Sequence, residues 1–559
     1  MNEITQRVEA LRAWMKEEGV GALLVPTMDA HSSEYVAPRW QCRRWLTGFT
    51  GSAGTAVVTA DEARLWTDSR YWLQAREQLA GTPFRLMRDG VDPTVNEWLR
   101  AQAPSTVAYV PDMMVPGLYA ACLAGLPTQV LKEDPFDLLW EDRPAFPLTP
   151  AERMPDEVAG ETATHKLARL TAWMQEQGEE QWFVSELSEI AWLLNLRAAD
   201  IPFNPFLISF LLVRTSGEHT LYVHEQQLGA ELQAYLQALG VTLAPYADAP
   251  RHLEGGESPI ARWRAVKNPV EQAGFREAHR RDGVALVQFL RLLDEARGQG
   301  WTEREADRVL TALRAQQPGY RGLSFETIAG YGSHGAIVHY EATPETDAVL
   351  EPRGLLLLDS GAHYDCGTTD ITRTIALGPL TDEERRAYTL VLKGHLQLQH
   401  LHFPEGTVGL QLDTAARMPL WREGYDFGHG TGHGVGHRLG VHEGPVQIRK
   451  NCRRDTTLPF QAGQVVTDEP GLYVAGRFGV RIENVLLCRE AGQTDFGRFL
   501  RFEPLTLCPY DLRPLVVELL TSDERAWLNA YHRHVLDTLL PLLPTEADRA
   551  WLRQAAKSI

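Results

Sequence analysis

The sequence predicts an α/β (α+β) protein with two related N-terminal α/β domains, a larger domain that carries the chemistry, and a helical tail. Three observations lead there. Helical and strand patterns alternate through the first half of the chain, a helix-then-strand unit recurs after 159 residues, and five potential metal ligands lie in otherwise apolar stretches of the second half.

The stretch ITQRVEALRAWMKEE repeats its apolar residues at helical intervals, GALLVP and GTAVVT are apolar runs bounded by turn formers and read as strands, and RYWLQAREQL is helical again. VEALRAWMKEEGVGALLVP aligns with LARLTAWMQEQGEEQWFVS, placing Trp14 over Trp173 and Gly19 over Gly178, so a second copy of the first domain is expected. FLISFLLVR and HTLYVHE supply strands of that copy. The proline-rich, acidic segment 141–157 reads as a linker. A further boundary falls near ARWRAVKNPVEQ. From Pro269 a long helix opens a different region, and a second helix follows around TEREADRVLTALRAQ. Beyond Pro509 the pattern turns helical, with Thr521 or Ser522 as cap, and is read as packing or subunit contact. The expected domains are 1–150, 151–263, 264–505 and 506–559.

A chain of 559 residues exceeds one compact core, and its net charge of −18 argues against nucleic-acid binding. The longest apolar runs, LLLL at 355–358 and PFLISFLLV at 205–213, are far short of a membrane span. The start, MNEITQRVEALRAWM, lacks the apolar core of a secretory signal, and the six cysteines show no paired spacing, as expected of reduced thiols in the cytoplasm.

The chemistry concentrates in Asp359, Asp370, His433, Glu469 and Glu483, within LLLLDSGAHYD, CGTTDITRTIAL, GHGTGHGVGH, VVTDEPGLYV and FGVRIENVLL. Burying an ionised carboxylate is costly unless positive charge meets it. No lysine-rich segment accompanies these acids. Singly, each has an ordinary reading: Asp359 as a strand-end turn former, Asp370 or Glu483 (beside Arg481) as half of an ion pair, His433 as a loop residue. Jointly, four carboxylates and one imidazole suit two divalent cations, typically about 3.5–4 Å apart in such sites. A hairpin that sets Asp359 opposite Asp370 would turn between Tyr364 and Asp365. Another, setting Glu469 opposite Glu483, would turn on Gly476, with His433 on a glycine-rich strand between them.

In the contexts LDSGAHYDCGTTDITRT, GHGTGHGVG, VTDEPGLY and VRIENV, these residues resemble the dimetal site of the methionine aminopeptidase, prolidase and aminopeptidase P superfamily, with its pita-bread catalytic fold. PTMDAHSSEYVAPRWQCRRWLTGFTGSAGTAVV, LWTDSRYWLQA and EIAWLLNLRAADIPFNP resemble the two creatinase/prolidase-like N-terminal domains of three-domain, cytosolic-type Xaa-Pro aminopeptidases, and the tail with ERAWLNAYH fits the same group. The resemblance implies that Asp370 and Glu483 bridge the ions, Asp359 completes one, and His433 with Glu469 the other. It implies Mn²⁺, with Zn²⁺ or Co²⁺ compatible. It also implies a homodimer. His339 in GAIVHYEA, His429 in FGHGTGH and His442 in GVHEGP match further family positions, whereas His437 and Arg438 stand where the group has small or apolar residues. His437 is expected to face solvent, and His334 to be a loop residue rather than a ligand.

The implied reaction is release of the N-terminal residue from peptides with a free amine and proline second, through a hydroxide bridging the ions. Glu469 would be general base or proton shuttle. His339 and His442 would stabilise the oxyanion and position the peptide, and His429 would assist. Tyr473 and Arg481 would shape the site, His433 would also border the substrate, and Arg70, in WTDSRYW, would bind residues beyond proline. Three alternatives stand beside it: a prolidase acting on Xaa-Pro dipeptides, a catalytically dead binding module on the same fold, and a dimetal phosphoesterase, against which the absence of a P-loop or basic phosphate cluster speaks.

Overall fold

The computed structural model describes residues 2–250, 258–452 and 455–559. The chain divides into two compact units, Met1–Met154 with Thr162–Ser258, and Pro155–Glu161 with Pro259–Ile559.

In the first unit, Asn2 caps the helix Glu3–Glu17 by accepting the Thr5 N–H at 2.8 Å, and Val8, Leu11 and Met15 form its buried stripe. Gly19, in the left-handed region at φ +68°, reverses the chain into the fully buried strand Ala22–Pro26. That strand enters a six-stranded sheet whose order is 84–88, 63–67, 55–59, 22–26, 107–109, 128–130. The second helix, Ala163–Gln177, ends on Gly178 at φ +76° and leads to the strand Gln181–Val184, in a sheet ordered 241–245, 219–223, 210–214, 181–184. Both sheets pair their shared strands antiparallel, antiparallel, parallel in the same succession. The alignment of Trp14 with Trp173 therefore marks a structural repeat.

The second unit opens on the helix Pro269–Glu295. Asn268 accepts the Val270 and Glu271 N–H groups, Glu271 reaches back to the Asn268 N–H at 2.9 Å, and Pro269 occupies the first turn, where its missing N–H costs nothing. The helix Glu303–Ala315 follows, capped by Thr302. Beyond it lie a three-stranded sheet (Ile328–Tyr331, Leu355–Ser360, Ile371–Ala376) and a six-stranded sheet ordered 402–404, 497–504, 484–494, 465–468, 432–434, 443–448. The helix Asp382–Gln399 begins in a capping box on Thr381. In the tail, Thr521 caps Ser522–Leu539, whose Leu528, Tyr531, Val535 and Leu539 share a core with Tyr388, Val391, Val480 and Ile482. The tail is thus part of the second unit's interior.

Candidate metal centre

Strand register places the acids. Leu355–Ser360 pairs with Ile371–Ala376 so that Asp359 faces Thr372, not Asp370, and the outer ladder keeps the same register through His363↔Thr368 and Tyr364↔Gly367. The turn therefore centres on Asp365 and Cys366, one residue later than the sequence spacing predicts. The shift is two residues across the ladder, and a side-chain period of two leaves Asp370 on the Asp359 face. The second hairpin agrees with expectation. Gly471–Val474 pairs with Phe478–Arg481 about Gly476, at φ +72°, and Val465–Asp468 pairs with Asn484–Thr494 in the continuing register, Asp468 opposite Asn484. Glu469 and Glu483 lie opposite one another where these two ladders meet.

Ligand atoms of Asp370, His433 and Glu483 all lie within 4.8 Å of one another. His433 Nε2 is 3.5 Å from Asp370 Oδ2 and 3.5 Å from Glu469 Oε1. These separations exceed ordinary hydrogen bonds. They are close to the roughly 3.0–3.4 Å between two donors that each sit about 2.1 Å from one ion. The other ring nitrogen, Nδ1, bonds the Gly434 carbonyl at 2.9 Å, which fixes the tautomer and turns the Nε2 lone pair towards the acids. Asp359 contributes differently. Its Oδ2 accepts from Arg481 Nη2 at 2.6 Å and Nε at 3.2 Å, while Oδ1 is buried with no hydrogen-bond partner. A buried, orphaned oxygen on a carboxylate whose charge acts on Asp370, Glu469 and Glu483 fits a cation, as does the donor set as a whole.

Electrostatics point the same way. Burial, then the charges of Asp359 and Glu469, holds the Asp370 carboxyl well above the usual range, and burial followed by Asp370 does the same to Glu483. Glu469 is raised to about 7, burial being the first cause. Carboxyls that resist ionising together are relieved when divalent cations enter among them.

The remaining expected residues fall as follows. Arg481 Nη1 donates to the Tyr473 hydroxyl at 2.8 Å, and that hydroxyl bonds His429 Nε2 at 2.8 Å, so Asp359, Arg481, Tyr473 and His429 form one chain. The buried partner of Arg481 is Asp359, not the neighbouring Glu483. His442 is exposed, with its ring 4.3 Å from that of His433. His339 is half-buried, in a segment whose Ile337 and Tyr340 pack with Leu357 and Tyr473. His334 bonds Glu303 and is not among the clustered ligand atoms. Arg70 belongs to the first unit, where Asp68 binds its guanidinium at 2.7 Å.

His437 corrects the sequence reading. It is buried, bonds the Cys366 carbonyl at 2.8 Å and packs on Phe275. The strand there covers only Gly432–Gly434, so strand alternation does not extend to residue 437. Sequence reasoning also missed two threonines. Thr372 donates to Glu483 Oε2 at 2.8 Å and accepts from Arg481, while Thr467 accepts the His433 N–H at 3.0 Å and bonds Glu469 Oε1 at 3.4 Å. Each lies two residues from a candidate ligand, Asp370 or Glu469, and that i, i+2 spacing was the signal available.

Fold and site together define a metallopeptidase of pita-bread architecture. The sequence matches Metallopeptidase family M24 over residues 273–490, the Creatinase/Prolidase N-terminal domain over 7–134 and, in a second form, over 142–257, and the C-terminal region of peptidase M24 over 498–559. It is 35% identical to Aminopeptidase P1 of Arabidopsis thaliana, covering 100% of this chain and 99% of that protein. With Xaa-Pro aminopeptidase 1 of Dictyostelium discoideum it shares 35%, over 100% and 97%. The crystal structure of X-prolyl aminopeptidase from Caenorhabditis elegans, described as a cytosolic enzyme with a di-nuclear active site, superposes with a TM-score of 0.93 at 33% identity, each chain covered completely. The chain belongs to metallopeptidase family M24, on its Xaa-Pro aminopeptidase branch. Among the described residues, no helix is long and apolar enough to cross a membrane.

Proposed function

We propose that this protein is a metal-dependent aminopeptidase that releases the N-terminal residue from peptides with proline in the second position, using two divalent ions held by Asp359, Asp370, His433, Glu469 and Glu483. The observation that carries the reading is the cluster of Asp370, His433 and Glu483 in a chain of this family, together with a buried Asp359 oxygen that has no hydrogen-bond partner. In this reading Asp370 and Glu483 would serve both ions, Asp359 would complete one ion's set, and His433 with Glu469 the other's. Mn²⁺ is the proposed metal. The carboxylate-rich donors that suit it would also accept Zn²⁺ or Co²⁺. A cytoplasmic, homodimeric enzyme is part of the same proposal.

When bound, such ions lower the pKa of a coordinated water from about 15.7 towards about 7 and polarise a carbonyl. The chain's own groups do the rest. Glu469, beside His433 at 3.5 Å, would take a proton from the attacking water and pass it to the leaving proline nitrogen. His442, exposed beside His433, and His339 hydrogen-bond the peptide and the developing oxyanion. Arg481 leaves Asp359 one oxygen for the ion, and Tyr473 couples that arrangement to His429. The X-Pro bond is a tertiary amide without an N–H, so a site that holds the free amine and the carbonyl suits it better than one that reads an extended backbone.

The test is a substrate panel. Xaa-Pro-Yaa should be cleaved after Xaa, its N-acetylated form should not, and Xaa-Ala-Yaa should be cleaved far more slowly. Activity confined to Xaa-Pro dipeptides would make the enzyme a prolidase instead.

A further inference from the structure

We propose that Glu303 is a positioning residue for His339, holding the segment that carries it through a single buried carboxylate. The inference rests on the role given to His339 above. Glu303 opens the helix Glu303–Ala315, and its side chain is 0% exposed. Oε1 accepts the Tyr331 N–H at 2.7 Å and His334 Nδ1 at 2.8 Å; Oε2 accepts the Tyr340 hydroxyl at 2.9 Å and the Ala348 N–H at 3.1 Å. A carboxylate has about four lone-pair positions, so these donors saturate it.

All four donors belong to residues 331–348, and His339 lies among them. The only helical piece in that stretch is the 3₁₀ turn Gly332–Ala336, so backbone ladders do little to fix it. The carboxylate instead binds its beginning, its middle and its end. The Glu303 N–H adds a bond to the Ala348 carbonyl at 3.0 Å, and the helix N-terminus favours the negative charge. The His334 ring stacks on Tyr340 at 4.4 Å, which ties two of the donors to each other directly beside His339. Ile337 and Tyr340 also pack with Leu357, two residues before Asp359, and with Tyr473. His339 lies in the chain between Ile337 and Tyr340, so the anchor and the apolar packing together fix the segment that carries it. Among the described residues, Glu303 makes no hydrogen bond to a candidate ligand, so its influence on turnover runs through this segment.

A double-mutant cycle tests it. Glu303→Gln keeps the shape but points an amide NH₂ at groups that are themselves donors. It is expected to lower kcat roughly 10-fold or more, because misplacement of about 1 Å can cost up to about 10²-fold, with metal content unchanged and KM moved less than kcat. In a His339→Ala background the same change is expected to cost less than about twofold. Should Glu303→Gln fail to fold, Tyr340→Phe keeps the ring and removes one donor, and is expected to show a smaller loss with the same dependence on His339. Equal fold losses in both backgrounds, or full kcat in the single variants, would overturn the proposal. If His339→Ala alone leaves kcat intact, it is the role of His339 that falls.

Discussion

Stripping metal from this protein should make it less stable as the pH rises, and Glu469 sets the scale. Its carboxyl is moved from 4.5 to about 7, burial outweighing the opposing charge of Arg481. A carboxyl raised in the folded state holds its proton more tightly there than in the unfolded chain. Its contribution is fully present below the unfolded value and is lost as pH climbs through the folded one. At about 1.36 kcal/mol per unit, Glu469 alone accounts for about 3 kcal/mol lost between about pH 4.5 and about pH 7. Asp370 and Glu483, raised in the same sense by burial and by their acidic neighbours, extend the loss to higher pH. For a unit of this size the Glu469 share corresponds to a Tm decrease of roughly 5 °C. The assay is thermal unfolding of chelator-dialysed protein between about pH 5 and about pH 8, beside Glu469→Gln, which cannot titrate. Wild type should lose about 3 kcal/mol more than the variant across that range, and added Mn²⁺ should restore most stability at the alkaline end, where the carboxylates are already ionised. Parallel pH profiles for the two proteins would refute the reasoning, because the burial that raises Glu469 is the same burial that makes the cluster a cation site.

Metal analysis of the purified enzyme should find about two divalent ions per chain; chelation should abolish activity and Mn²⁺ restore it, and full activity in a metal-free preparation would remove the mechanism. Asp370→Asn or Glu483→Gln should lose ions and nearly all turnover, read by metal content and rate together. His442→Ala should lower turnover with metal content intact; an emptied site with an unchanged rate per bound metal would make His442 a ligand. Arg70→Ala should penalise tripeptides more than Xaa-Pro dipeptides, and equal loss on both would take Arg70 out of the substrate-binding set.

The elements most legible in the sequence were those set by strong local signals. Pro269 announces the start of a long helix, and it starts there; Thr521 does the same for the helix of the tail. The Trp14 and Trp173 repeat was visible because both copies need the same amphipathic helix and a glycine to reverse the chain. Gly476 fixed the second hairpin because a turn at positive φ favours that residue. The first hairpin had no such pin. Its turn at Asp365 and Cys366 contains no glycine, and the ladder slipped by two residues, a displacement that preserves every side chain's face and so leaves no trace in the apolar pattern.

What stayed hidden were partners from distant segments. Arg481 stands two residues before Glu483, which invited pairing the two, yet its guanidinium bonds Asp359, 122 positions away. The physical reason lies in the strand: residues 481 and 483 share a face, but Arg481 is directed at the carboxylate that the neighbouring sheet brings within 2.6 Å, and that bond disposes of one Asp359 oxygen while leaving the other for a cation. The same applies to Glu303, an ordinary acidic residue in a first helical turn until the segment 331–348 folds over it. Sequence pattern identifies which residues are too polar for their surroundings. Which of them answers which is decided by register and by the path of the connecting segments, and among the described residues no guanidinium or ammonium bonds Asp370, Glu469, Glu483 or the second oxygen of Asp359. Arg481 is already committed to Asp359 and Tyr473. The charge that remains is what two divalent ions would neutralise.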